Sequence, residues 1–459
     1  MTDGGRPEDA CESCHSPTRP GESIDNPQML SGDKNNAQRN MALPWHGWLM
    51  VGLLVLASLT SKALGAAWAL FTLMGLWQVR LSLQQNKVEP FPAFVRIWVV
   101  AALAGFTAKA LATLYWHDPW SERHGEIRML LGALAAYGAY GFWRARTAQR
   151  QLLIVWLSHA LSLTALLGLA WVVWKGRGGV PSHPIPWAGI MAMFSCWLLA
   201  VGLDDAFSRA QRRLWLTGSG LAVLAVLASQ SRGAFVVVLW WLGVLGWQAW
   251  RGLKPSSHRQ GRLRRLAWAT AAAASLLTAL SFTPVLERPR LSLQAAVSEA
   301  QHAMQSPAEG SNSSVGARLY MWQRSLQAIA QEPWLGHGHD GRKRLIQQWA
   351  QEAQSDEIHR LGHVHNEYLH QLIDHGLLGL ISQASILLGL LYVVLQQRIT
   401  GSSTASLALG GMWIVYAVGS LSNVNFAHNY YTAGLSLMTG LTMGLLSKPP
   451  CAQTPPEPS

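Results

Sequence analysis

Two short stretches hold residue types that could move a proton and grip a phosphate. The first is His363-Val364-His365-Asn366-Glu367-Tyr368-Leu369-His370-Gln371-Leu372-Ile373-Asp374-His375-Gly376-Leu377-Leu378-Gly379-Leu380, which runs from polar residues into a long apolar block. His365 and Asn366 fall at the N-terminus of the helix predicted there, where the helix dipole disfavours an imidazolium and keeps the ring neutral. A neutral imidazole can accept a proton, although histidines that merely favour a membrane interface are the plainer reading. The second stretch, Ser229-Gln230-Ser231-Arg232-Gly233-Ala234, joins two apolar blocks and sets Arg232 at the edge of hydrocarbon. A guanidinium is costly there unless it snorkels or meets an anion, and its planar fork matches a phosphate. Arg288, Arg290, Arg318 and Arg324 add positive charge on the same expected side, against the usual orientation bias. Cations placed where topology disfavours them point to an anionic ligand.

Other constellations are weaker. His337, His339, His359, His363 and His365 have permissive spacings, but no carboxylate motif accompanies them, and the sequence predicts no metal centre. Asp204-Asp205 reads as a solvated helix end on the opposite side. Cys11-Glu12-Ser13-Cys14-His15 spells a haem-attachment pattern in a tail that precedes the first span, so chance explains it better. The four cysteines sit in three separate places and give no disulfide framework. No cofactor is expected.

The elements that must position these residues are membrane helices. Half of the 459 residues are hydrophobic and 13% are charged, against roughly a quarter charged in an ordinary soluble domain. The apolar residues form blocks of 17 to 25, which match the ~20 residues needed to cross ~30 Å of hydrocarbon as a helix. Lipid offers the backbone no partners, and the pattern excludes a β-barrel. Spans are predicted at 44–61, 63–80, 94–115, 127–143, 152–174, 185–203, 214–230, 234–250, 266–285, 366–396, 405–421 and 428–447. The expected fold is an all-α polytopic membrane protein of about twelve transmembrane helices with one large helical insertion on the extracytoplasmic side.

Lys and Arg concentrate in alternate loops, among them Arg80, Lys87 and Arg96, then Arg144, Arg146 and Arg150, then Arg209, Arg212 and Arg213. Those loops and both termini therefore face the cytoplasm, and the insertion 286–365 faces away from it. The net charge of +12 is a topology signal of this kind and not a nucleic-acid footprint. Residues 1–42 are expected to form a disordered cytoplasmic tail, not a cleaved signal, and 448–459 a second tail. Within the insertion, Val315–Gln331 places Leu319, Trp322, Leu326 and Ile329 on one helical face, with Asn312, Ser313 and Ser314 as cap candidates. A second helix is predicted from Asp340 to Gln354. Many of the 23 tryptophans lie near span ends, as an aromatic belt requires.

With these motifs in place, the chain resembles the O-antigen ligase family, within the superfamily that also holds O-antigen polymerases and O-linked oligosaccharyltransferases. The turn at Ser229–Ala234 is similar to the family's SxSRGA segment. Arg318-Leu319-Tyr320-Met321-Trp322 followed by Pro333-Trp334-Leu335-Gly336-His337-Gly338 resembles its arginine, tryptophan and glycine segment. His365-Asn366, then Gly376 and Gly379, matches its histidine motif. The resemblance covers roughly residues 44–447.

It implies a GT-C-like fold whose large helical insertion is periplasmic, and a metal-independent, inverting transfer of O-polysaccharide from undecaprenyl pyrophosphate to an outer core sugar of lipid A-core, in the bacterial inner membrane with the site facing the periplasm. His365 would be the general base and Arg232 the pyrophosphate-neutralising residue, with Arg318, Arg288, Asn366, Trp322 and His337 binding substrate. A groove between spans would open to membrane lipids. An O-antigen polymerase would use similar residues, and an O-linked protein oligosaccharyltransferase is a further alternative. A transporter would place polar groups at midplane, for which Lys109 and His159 are the candidates.

Overall fold

The computed structural model describes residues 43–85, 92–252 and 284–448. The expected tails, apart from Lys448, and the span predicted at 266–285, apart from its last two residues, lie outside the described residues. All regular structure among the described residues is helical. In chain order the helices are α1 (Trp45–Val55), α2 (Ser61–Gln84), α3 (Ala93–Tyr115), α4 (His124–Arg144), α5 (Thr147–Lys175), α6 (Pro184–Gly202), α7 (Arg209–Ala228) and α8 (Val236–Gly252). Then come α9 (Pro284–Gln305), α10 (Pro307–Gly310), α11 (Ser314–Gln331), α12 (Gly338–Glu352), α13 (Asp356–His359), α14 (Glu367–Ile399), α15 (Ser403–Gly419) and α16 (Asn429–Leu446).

Helices α2, α3, α5, α6 and α14 are long and apolar enough to cross a membrane, and α1, α8 and α15 are shorter apolar helices. The rest need a different account. Helix α16 is buried from Tyr430 to Leu446, so its environment is protein on every side. Its Thr439 and Thr442 hydroxyls donate to the carbonyls of Leu435 and Met438 at 2.7 and 2.6 Å, which removes the cost of burying them. Helix α6 is likewise buried from Pro186 to Gly202. Around these two, α14 packs on α3 and α15, α16 on α4, α7 on α5 and α6, and α2 on α4. Small residues set the closeness: a methyl group at Gly138 would collide with the Gly75 carbonyl of α2.

The segment between α9 and α14 has a small core of its own, formed by Ala317, Met321, Ala328, Ile346, Trp349, Ala350 and Ile358 with Val364 and Ile373. Ser313 caps α11 through the Gly316 amide at 3.1 Å. The buried face of α11 is Ala317, Met321, Ser325 and Ala328, whereas Leu326 is 61% exposed. The face read from the large apolar residues is therefore rotated from the true one, because small residues let α11 approach its neighbours closely. Helix α12 begins at Gly338, two residues before the predicted start, where His337 is its N-cap.

Candidate functional site

Helix α14 is interrupted by one residue, Gly376, with φ 54° and ψ −138°. The break exposes backbone groups that an unbroken helix would pair internally. Pro333–Gly336 meets them: the Leu377 amide donates to the Pro333 and Trp334 carbonyls at 3.0 and 3.1 Å, and the His337 amide donates to the Ile373 carbonyl at 2.7 Å. A Cβ on Gly336, itself at φ 68°, would collide with the Ile373 to Gly376 backbone. The Trp116 indole fixes the same strand of chain through the Leu335 carbonyl at 2.7 Å. Two glycine motifs 40 residues apart in sequence thus form one joint between Pro333–Gly336 and α14.

Just before α14, the chain carrying His363 and His365 is gripped from several sides. The Trp322 indole donates to the Val364 carbonyl at 2.8 Å, and Arg342 donates to the Gly362 carbonyl. Asn366 caps α14, its Oδ1 accepting from the Tyr368 and Leu369 amides at 3.0 and 3.2 Å. His365 itself has φ 53°, a conformation non-glycine residues rarely adopt. Its ring is 7% exposed, and neither ring nitrogen has a hydrogen-bond partner in the protein. The His363 ring lies 4.2 Å away, centroid to centroid, and the His428 ring stands 6.4 Å from His363 and stacks on His183 at 5.7 Å. Burial, followed by the neighbouring His363 and the Arg318 charge, holds the His365 pKa down at about 2. Burial and then His428 hold His363 at about 4, and burial and then His183 hold His428 at about 4. These imidazoles are neutral lone-pair donors at physiological pH.

Arg232 sits in a tight turn between α7 and α8. The Ser229 hydroxyl donates to the Val226 carbonyl at 2.7 Å and accepts from the Ser231 amide at 3.3 Å, while Ser231 donates to the Pro184 carbonyl at 3.0 Å. A Cβ at Gly233 would meet the Ser422 hydroxyl, which would have to turn away from the Gly419 carbonyl it bonds. The turn thereby brings Arg232 beside Arg177, from the α5–α6 loop, and Arg318, from α11. Burial and then the Arg232 charge weaken proton binding at both Arg177 and Arg318. The Arg318 Nε is buried with no hydrogen-bond partner. Three guanidiniums from three separate elements repel one another unless an anion lies among them.

A second polar network adjoins this cluster along α14, the His370 ring standing 6.5 Å from the His363 ring. Arg342 and Asp374, 3% and 0% exposed, pair at 2.6 Å. His370 lies 3.5 Å from the other Asp374 oxygen, His339 3.3 Å from Glu122, and His375 2.8 Å from Asp118. The Lys109 ammonium donates to Gln371 at 3.0 Å and meets His375 Nδ1 at 3.2 Å, and Gln371 donates to Glu367 at 2.9 Å. Glu122, His370 and Asp374 converge closely enough that they could share a cation. Arg342 already supplies Asp374 with a positive charge, which weakens that option.

Residues 217–384 match the O-antigen ligase family. The matched segment contains both the Arg232 turn and the His365 motif. A general O-oligosaccharyltransferase of Acinetobacter baylyi is 25% identical over 383 residues, covering 78% of this chain and 59% of that protein. An uncharacterized protein of Haemophilus influenzae is 30% identical over 112 residues, 24% of this chain and 28% of that protein. The chain thus spans 28% to 59% of the length of these relatives. The apolar helices and this match support a multi-pass membrane protein.

The residues singled out from sequence divide. His365, Arg232 and Arg318 lie at the histidine and arginine cluster. Trp322 and His337 instead hold backbone: the Trp322 indole binds Val364, and the His337 ring meets the Ala328 carbonyl at 3.0 Å. The Asn366 oxygen caps α14. Arg288 falls in α9, and its side chain lies outside the described residues. Of the midplane candidates, His159 bonds its own helix at the Val155 carbonyl, 2.6 Å, and Lys109 belongs to the second network. Sequence reasoning missed Arg177, His183 and His428. Their only signal is position, since each lies in a short connection on the expected side of Arg232. It also missed the carboxylates near His370, because Asp118 and Glu122 come from a loop some 250 residues away.

Proposed function

We propose that this protein is an O-antigen ligase: it transfers O-polysaccharide from undecaprenyl pyrophosphate to an outer core sugar of lipid A-core, at the periplasmic face of the bacterial inner membrane. The observation that carries the reading is a buried, neutral His365 with both ring nitrogens unpartnered, next to Arg318, which in turn faces Arg232 and Arg177. The acceptor hydroxyl oxygen bonds the anomeric carbon while the bond from that carbon to the phosphate oxygen breaks. His365 takes the hydroxyl proton, a role worth typically 10²–10⁴-fold. The electron pair leaves on the lipid diphosphate, whose growing charge the arginines stabilise. A single displacement of this kind inverts the anomeric configuration. It assigns no step to a metal ion. Both termini are cytoplasmic in this reading, and segment 286–365 forms a periplasmic cap.

A second reading has a specific observation in its favour. The Acinetobacter baylyi relative matched along 78% of this chain bears the name of an O-oligosaccharyltransferase, so a protein acceptor is the first alternative. A growing lipid-linked glycan, as for a polymerase, is the second. Reconstitution with an undecaprenyl-pyrophosphate glycan and three acceptors, lipid A-core, a second lipid-linked glycan and a protein with exposed serines, tests them together. Glycosylated lipid A-core as the product supports ligase. Either other product alone replaces that reading.

A further inference from the structure

We infer that Arg342 is a positioning residue that bolts the histidine loop to α14 and so holds His365 in its left-handed conformation. One guanidinium reaches three places. Its Nε pairs with Asp374 on α14 at 2.6 Å, one Nη donates to the Gly362 carbonyl, and the other meets His339 Nδ1 at 2.9 Å. Gly362 lies three residues before His365, and Asp374 nine after it. The bolt therefore ties together the two ends of the segment that presents the imidazole. A positive φ at a histidine stores strain and persists only where the surroundings over-determine it. Trp322 on Val364 and the Asn366 cap supply two of the restraints, and Arg342 supplies the one upstream.

Arg342 is 3% exposed and Asp374 fully buried, so removing either partner alone leaves an uncompensated buried charge and damages the fold whatever the pair does. Replacing both by apolar residues of similar volume is often neutral for stability. The double variant Arg342→Met with Asp374→Leu therefore separates the roles: a purely structural pair is repaired by it, whereas the Gly362 grip is not. Lys cannot bridge three acceptors with a planar fork, so Arg342→Lys keeps the charge and loses the bolt.

The test uses the full-length protein in nanodiscs. Two readouts are taken: transfer from an undecaprenyl-pyrophosphate glycan to lipid A-core, and the rate at which diethyl pyrocarbonate modifies His363 and His365, followed by peptide mass. The double variant is expected to melt close to wild type, with kcat down about 10²-fold at unchanged donor KM, as a displaced catalytic group gives. Modification of the His363–His365 peptide should be several-fold faster. Wild-type kcat and modification rate in the double variant overturn the inference. If that variant fails to fold, Arg342→Lys is read the same way and decides. The kcat arm rests on the proposed role of His365. The modification arm does not, so a wild type that glycosylates no lipid A-core, yet whose variants show the faster modification, removes the proposed function and leaves the bolt standing.

Discussion

Trp322 and Val364 are joined by a 2.8 Å hydrogen bond from indole to carbonyl, which fastens α11 to the backbone midway between two histidines. A tryptophan at this place in the sequence invites a sugar-stacking role, and the bond argues for a positioning one. The two differ in Trp322→Phe, which keeps an aromatic face and loses the N–H. A positioning role predicts kcat lower by about 10-fold, the value of one hydrogen bond, at unchanged KM for the glycan. A rise in KM at constant kcat would return Trp322 to the substrate contacts.

The arginine cluster makes a graded prediction. Arg318 is half-buried with an unpartnered Nε, whereas Arg177 keeps more of its surface in solvent. Charge-assisted contacts gain strength with burial, so Arg232→Ala and Arg318→Ala should each lower transfer by about 10²-fold or more. Arg177→Ala should cost less. Binding of farnesyl diphosphate to each variant, measured by calorimetry, should weaken in the same order. Equal binding in all of them would take the diphosphate away from this cluster.

Legibility in the sequence followed the range of the interactions involved. Helices α2, α3, α5, α6 and α14 rise from apolar blocks that lipid or a buried core demands, and local composition is enough to find them. The Arg232 turn was readable because Ser229 serves bonds inside the turn, although the Ser231 bond to Pro184 was not. The α11 face was misread because Leu326 is large yet exposed, and small residues make the packed side. His428 stacking on His183 joins residues 245 apart, and no spacing rule reaches that far. The second network was invisible for the same reason: Lys109, Asp118 and Glu122 meet α14 only in three dimensions.

Gly376 should tolerate no side chain. Its φ of 54° is unfavourable for L-residues, and a Cβ there would collide with the Trp334 carbonyl. Gly376→Ala should cost at least about 2 kcal/mol, combining backbone strain and overpacking, seen as a lower melting temperature in detergent. A melting temperature equal to wild type would mean that the joint between Pro333–Gly336 and α14 relaxes without penalty.

Glu122, His370 and Asp374 offer the best test of metal dependence. Their ligand atoms converge, but Arg342 bonds Asp374, and His339 bonds Glu122 and with nearby Lys109 and Arg342 holds its pKa at about 2 against burial. Positive charge from Arg342 thus already bears on both carboxylates, and Asp374 Oδ2 is left without a hydrogen bond. Transfer should be unchanged by EDTA. Loss of transfer restored by a divalent ion, together with its abolition in His370→Ala, would turn this cluster into a metal centre.

The last prediction concerns pH, because a base with a pKa near 2 would be a weak one. In the donor-free site, burial, the neighbouring His363 and the Arg318 charge all oppose protonation of His365. A bound diphosphate places negative charge among the arginines, cancels their repulsion and lifts the pKa towards the ordinary imidazole range of about 6.5. The base acts only when deprotonated, so kcat, which reports the enzyme–donor complex, must fall as pH drops through the raised value. kcat/KM reports the free enzyme, whose His365 stays neutral, and it should remain flat to well below that point. By linkage, binding that raises a pKa takes up a proton, so donor KM should decrease on acidification in step with kcat. Steady-state kinetics between pH 5 and 8 would show this as an acid limb in kcat and in donor KM with kcat/KM flat across the window. If the acid limbs of kcat and kcat/KM coincide, the donor does not tune His365, and a different group removes the acceptor proton.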